Sequence, residues 1–257
     1  MDQRGSQEWT AADAAIMSVE AAALREIVAG GVADAALLAH ASLLVDAGLP
    51  IFVSGPSRAL CQRVADAVAE VSPVPGAANG GREITIESGH HFEWLVDPKG
   101  IGCMDPLAGS APRSPRNTRL RVRGLLSELD PPTARTALRA LSRGFPAIAE
   151  ASALTLASLL EQLRSDPHRI PESDLRALGL VAFFDESRLT AAHLLHKGDD
   201  AERRAPTLLA VWDESARAWD DFAWAAVPTL AQRCGISQSE YEAQLVGRVA
   251  ILQGSNR

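Results

Sequence analysis

Apolar residues recur along the chain in two alternating rhythms. Residues 34–47, DAALLAHASLLVDA, place Leu37, Leu38, Ala41, Leu44 and Val45 on one stripe at helical spacing, and Gly48 ends the run. His40 falls off that stripe and is expected on the solvated side of the helix. Residues 51–54, IFVS, are wholly apolar but for the last, the pattern of a short strand covered on both faces. Helical spacing then returns and turns Leu60, Val64, Ala67, Val68 and Val71 inward. Residues 83–87, EITIE, alternate as a strand does.

The same alternation continues. Residues 120–126 predict a strand. Asp130-Pro131-Pro132 then sets an N-cap before proline at the first helical position, and that helix closes near Arg143 on Gly144. A strand over 146–151, a helix over 153–164 and a short helix near 172–177 follow. The tail is β-rich, with the runs LGLVAFF, RLTAAHLL and TLLAVW, then DESARAWDDFAW as a hairpin. Ser237 and Glu240 have capping-box spacing at the start of a closing helix. At the other end, Thr10 and Asp13 suit the start of a helix reaching Val28, stopped by Gly30-Gly31. The Pro- and Gly-rich stretch 97–118 reads as a long mobile loop. Residues 1–14 are expected to fray, 15–225 to form the core, and 226–257 to be a C-terminal helical extension. Strands alternating with helices predict an α/β layered sheet.

Composition narrows the class. Of 257 residues 47% are hydrophobic and 22% charged, enough apolar content for a full core and too much for a disordered chain. A net charge of −7 argues against binding nucleic acid through the whole surface. The three cysteines, Cys61, Cys103 and Cys234, are scattered and odd in number, which predicts no disulfide framework and a cytoplasmic setting. The most apolar region, 35–53, is broken by His40, Asp46, Gly48 and Pro50, and reads as helix plus strand, not as a membrane span.

Candidate chemistry begins at residues 51–62, IFVSGPSRALCQ, which have the outline of a phosphate-binding loop: strand, glycine, turn, helix. In the motif G-x-x-x-x-G-K-[ST] the glycines let backbone N–H groups wrap the β-phosphate, lysine neutralises charge and the hydroxyl holds Mg²⁺. Here Gly55 is present, Leu60 takes the second glycine position, Cys61 the lysine and Gln62 the hydroxyl. Ser57 and Arg58, at the start of the helix, remain as anion contacts. These features favour a vestigial site over efficient phosphoryl transfer, and a plain strand-to-helix turn is the simpler account.

The surroundings add a resemblance. Residues 24–57, LREIVAGGVADAALLAHASLLVDAGLPIFVSGPS, resemble the approach to the Walker A loop in the ATPases of type II/IV secretion and Tad-type pilus assembly. EITIES, 83–88, resembles that family's next strand and acidic box: Glu87 matches its glutamate and Ser88 replaces its aspartate. SELDPPTARTALRALSRGF, 127–145, resembles the Walker B end, with Glu128 at the glutamate and Asp130 near the acidic position. Phe145 and Glu150 stand where two histidines would fall, and Arg188 to Thr190 resembles a motif of the C-terminal segment. The resemblance implies a RecA-like P-loop NTPase-type layered sheet with flanking helices and a β-rich C-terminal segment. It also implies a tendency to oligomerise, and protein partners in a secretion or pilus machine that alone would bring the chain to a membrane. With the lysine missing, it implies a catalytically impaired homologue with no bound cofactor. The alternative is an active ATPase that binds ATP and Mg²⁺, with Arg58 or an arginine from 113 to 143 in place of the lysine and Glu128 as the water-orienting base.

Two other groups stand out. Arg135, Arg139 and Arg143 recur every fourth residue, with Arg113, Arg116, Arg119, Arg121 and Arg123 upstream. They suit either a solvated basic face or contacts to a partner, a phosphate or nucleic acid. His90-His91 with Cys103 fits no common zinc spacing, and His193 and His196 would face opposite sides of a strand. The aromatics Trp212, Trp219, Phe222 and Trp224 suit either core packing or a docking patch.

Overall fold

A computed structural model describes residues 21–77, 80–95, 113–196 and 205–254. The elements are α1 (Ala22–Ala29), α2 (Ala35–Asp46), β1 (Ile51–Ser54), α3 (Arg58–Val71), β2 (Arg82–Ile86), β3 (Thr118–Val122), α4 (Pro131–Ser142), β4 (Ala147–Ala151), α5 (Leu156–Arg164) and α6 (Glu172–Leu175). They continue with β5 (Leu180–Phe184), β6 (Leu189–Leu194), β7 (Thr207–Asp213), β8 (Ala218–Asp221), α7 (Val227–Cys234) and α8 (Gln238–Leu252). The strands form one sheet in the order β2-β3-β4-β1-β5-β6-β7-β8. From β2 to β5 neighbours run parallel, and from β5 to β8 antiparallel.

Strand chemistry explains the change. β1, β4 and β5 (IFVS, AIAEA, LVAFF) are buried at every position, as parallel strands covered on both faces must be. Ile51, Val53, Ile148, Leu180 and Phe184 face one core, which α1, α2, α3, α7 and α8 complete. Phe52, Ala147, Ala149, Val181 and Phe183 face the other, under α4, α5 and α6. Each large apolar side chain so buried contributes about 1.5–3 kcal/mol. Caps fix where helices begin: Asp34 accepts from the amides of Ala36 and Leu37, Asp130 from Thr133, Thr155 from Ser158 and Ser237 from Glu240.

His40 is a correction. It is only 2% exposed, and its Nδ1 lies 2.6 Å from the Tyr241 hydroxyl of α8. α2 is buried almost all round because α8 covers the face that looked solvated. The expected 97–118 loop falls mostly outside the described residues, and its last residue, Thr118, opens β3. The expected strand over 120–126 stops at Val122, because Gly124 turns the chain at φ 61°. The expected start of the first helix, at Thr10 and Asp13, also lies outside the described residues. Among those described, no helix is long and apolar enough to cross a membrane.

Candidate functional site

The connections create a crevice. The helix after β1, α3, packs on one face of the sheet, and the helix after β4, α5, packs on the other. β1 and β4 are neighbours, so their C-terminal ends diverge into helices on opposite sides. Such a switch point is where open α/β sheets leave room for a ligand. A hollow of 270 Å³ lies there, lined from three directions. Gly55, Pro56, Arg58 and Cys61 come from the β1–α3 turn, Glu150 to Ser152 from the end of β4, and Gly124, Ser127 and Glu128 from the turn after β3.

The β1–α3 turn is tight. Gly55 N–H donates to the Ala151 carbonyl at 3.1 Å, and Ser54 Oγ donates to the Ala153 carbonyl at 2.6 Å. A Cβ on Gly55 would sit 2.6 Å from the Phe184 carbonyl oxygen, so only glycine fits. Ser57 caps α3, accepting from the Leu60 amide, and the helix begins at Arg58. Only Pro56, which has no N–H, and Ser57 separate Gly55 from the helix. Leu60 and Cys61 are therefore buried helix residues, and neither Ser57 nor Gln62 lines the hollow.

The facing wall is acidic. Leu125 N–H donates to the Glu150 carbonyl and Glu128 N–H to the Gly124 carbonyl, which folds the turn after β3 back against β4. A side chain on Gly124 would strike that of Glu128. Glu128 Oε1 then meets Arg58 Nη1 at 2.5 Å. Glu150, 4% exposed on β4, takes Arg121 Nη2 at 2.9 Å. Burial pushes the Glu150 carboxyl up, against the pull of Arg121. The Cys61 thiol is raised to about 11, by burial first and Glu150 second, so it is protonated and a poor nucleophile at neutral pH.

The other expected residues lie elsewhere. Glu87 is exposed just past β2 and lines a separate open hollow with His90, His91 and Trp94. Ser88 Oγ donates to Asp130, and that bond comes first among those from Thr133 and Gly89 that hold the Asp130 carboxyl far below the usual range. Arg135 donates to the carbonyls of Pro167 and His168, Arg139 is exposed on α4 and Arg143 follows its last turn. Arg119 and Arg121 are corrections to the basic patch. They are 4% and 1% exposed, turned under α3, where Arg119 meets Glu83 and Arg121 meets Asp66. Trp94 Nε1 lies 3.0 Å from His90 Nε2, His193 packs edge-on to Phe183, and His196 pairs with Thr207. Among the described residues no cluster of three or more histidine, cysteine or acidic side chains could hold a metal, and Cys103 lies outside them.

The pair Arg58–Glu128 and the pair Arg121–Glu150 were not anticipated as contacts. The alternation TRLRVR carried a signal for the second, since an arginine facing a strand as apolar as AIAEA needs the acid that interrupts it. No family model matches the chain, and no curated protein matches it.

Proposed function

We propose that this chain is a degenerate relative of the RecA-like secretion and pilus-assembly ATPases, acting as a structural or regulatory component of such a machine rather than as its motor. The observation that carries the reading is the Arg58–Glu128 contact. The segments that resemble Walker A and Walker B are far apart in sequence, yet both line the hollow at the switch point. The resemblance and the geometry thus converge on one site.

The contents of that site support impaired chemistry. A phosphate loop needs a run of backbone N–H groups around the anion. Here the turn is two residues long and one of them is proline. The lysine position is a buried thiol and the magnesium-ligand position lies outside the hollow. Arg58 already answers Glu128 and Arg121 answers Glu150, so a triphosphate would meet no free cation among the residues that line the hollow. The residues do not fit Mg-ATP.

Titration calorimetry with Mg-ATP tests this. The expected result is no saturable binding up to about 1 mM nucleotide and no phosphate release above a buffer blank. Micromolar binding with steady hydrolysis would overturn it. An active ATPase is the second reading, because Arg58 lines the hollow and sits at a helix N-terminus. Glu128→Gln would then abolish hydrolysis. A nucleic-acid or acidic-protein module built on the arginines loses Arg119 and Arg121 to the interior.

A further inference from the structure

The sheet ends at β8, and this edge differs from an ordinary solvated one. Trp224, just past it, is 72% exposed and Phe222 39% exposed, with Ala225 and Pro228 exposed beside them. A tryptophan left this far in water on a folded surface forgoes most of the stabilisation its burial would bring, a feature of interface anchors. The two residues before Phe222 are Asp220 and Asp221, both exposed. Asp221 accepts from the Ala223 amide, and neither aspartate forms an ion pair among the described residues.

Backbone geometry adds donors and acceptors to that surface. β8 pairs antiparallel with β7, Asp220 opposite Val211, and Phe222 N–H donates to the Leu209 carbonyl. In an antiparallel pair the bonded positions alternate, which leaves the N–H and C=O of Trp219 and Asp221 pointing away from β7. As the last strand of the sheet, β8 has no further neighbour among the described residues to take them.

We propose that this edge docks an extended, basic segment of another protein, added to the sheet as a further strand beside β8. Its backbone meets Trp219 and Asp221, its cationic side chains lie on the sheet face of Asp220, and an apolar side chain past the end of β8 rests on Trp224. Charge selects the occupant. A second copy brought edge to edge would set aspartates against aspartates. Nucleic acid and anionic membrane surfaces meet the same repulsion. The inference does not depend on the nucleotide crevice, and either can fail without the other.

The test uses the full chain and a fluorescent peptide, KVKVKVK with blocked ends, followed by anisotropy. Saturable binding is expected, weakened about tenfold by Trp224→Ala. Asp220→Asn and a rise from about 50 to about 300 mM salt should weaken it as well. The acidic peptide EVEVEVE should not bind, nor should KVKVKVK methylated at alternate backbone amides. Circular dichroism and the urea midpoint should be unchanged in both variants, because neither side chain is buried or paired. Absence of binding at low salt, affinity indifferent to both substitutions, or binding that survives amide methylation would each overturn the proposal. A dimer in sedimentation that Trp224→Ala dissolves would overturn it in favour of a second copy.

Discussion

Burial of His40 beneath α8 lowers its imidazole pKa from 6.5 to about 4, against the opposing pull of Asp221 and Asp34. The folded state therefore keeps the ring neutral where the unfolded chain takes up a proton. The neutral ring's contribution to stability is complete above pH 6.5 and is lost as the pH falls toward 4. Its full size is about 3 kcal/mol. Urea denaturation between pH 7.5 and 4.5 should show stability falling faster in the native chain than in His40→Gln, which has no group to titrate there. Equal slopes would contradict it. The position was misjudged in the sequence for a physical reason: local spacing describes one helix alone, while Tyr241 arrives from near the other end of the chain. The remaining clue was that residues 34–47 are apolar nearly all round, which fits a helix covered on several sides.

At the scale of elements, β3 and α3 meet through charge. Leu120 and Val122 of β3 enter the core under α4, while Arg119 and Arg121 turn beneath α3. Arg119 donates to the carbonyls of Ala69 and Ser72 at the end of α3, groups that a helix C-terminus leaves without internal partners. Arg121 donates to the Ala65 carbonyl, Asp66 and Glu150. Arg121→Met would strand Glu150 in the interior and should cost about 3–5 kcal/mol, read as a drop in the urea midpoint. Arg121→Met with Glu150→Leu should recover most of the loss, and a double variant no better than the single would refute this account. Alternation in TRLRVR correctly marked a strand, but it reads equally as a solvated basic face, because periodicity reports sides and not what covers them. The crevice shows the same division. Residues 51–54 and the turn at Gly55 were legible, since an apolar run, a glycine and a helix cap act locally. The length of the loop was not, because matching to a longer motif placed Leu60, Cys61 and Gln62 in a turn that Ser57 had already closed.

Across the whole molecule, the C-terminal helices set a sharper question than the sequence did. Residues 226–257 read as an extension, yet α7 and α8 contribute Leu230, Ala231, Tyr241, Ile251 and Leu252 to the core that α2 and α3 share with the sheet. Arg248 of α8 reaches Ser42 Oγ at 2.8 Å and Asp46 Oδ2 at 2.6 Å, fastening the last helix to the second. Losing these helices would uncover His40, the apolar flank of α2 and an aspartate deprived of its partner. Burial of the larger side chains alone contributes about 5 kcal/mol or more, comparable with the whole stability of an ordinary domain. A chain ending at residue 226 should therefore lose cooperative thermal unfolding and bind a hydrophobic dye such as anilinonaphthalene sulfonate. A truncated chain that still melts in one sharp transition would mean that β1 to β8 hold together without their last cover, and that α7 and α8 are an appendage after all.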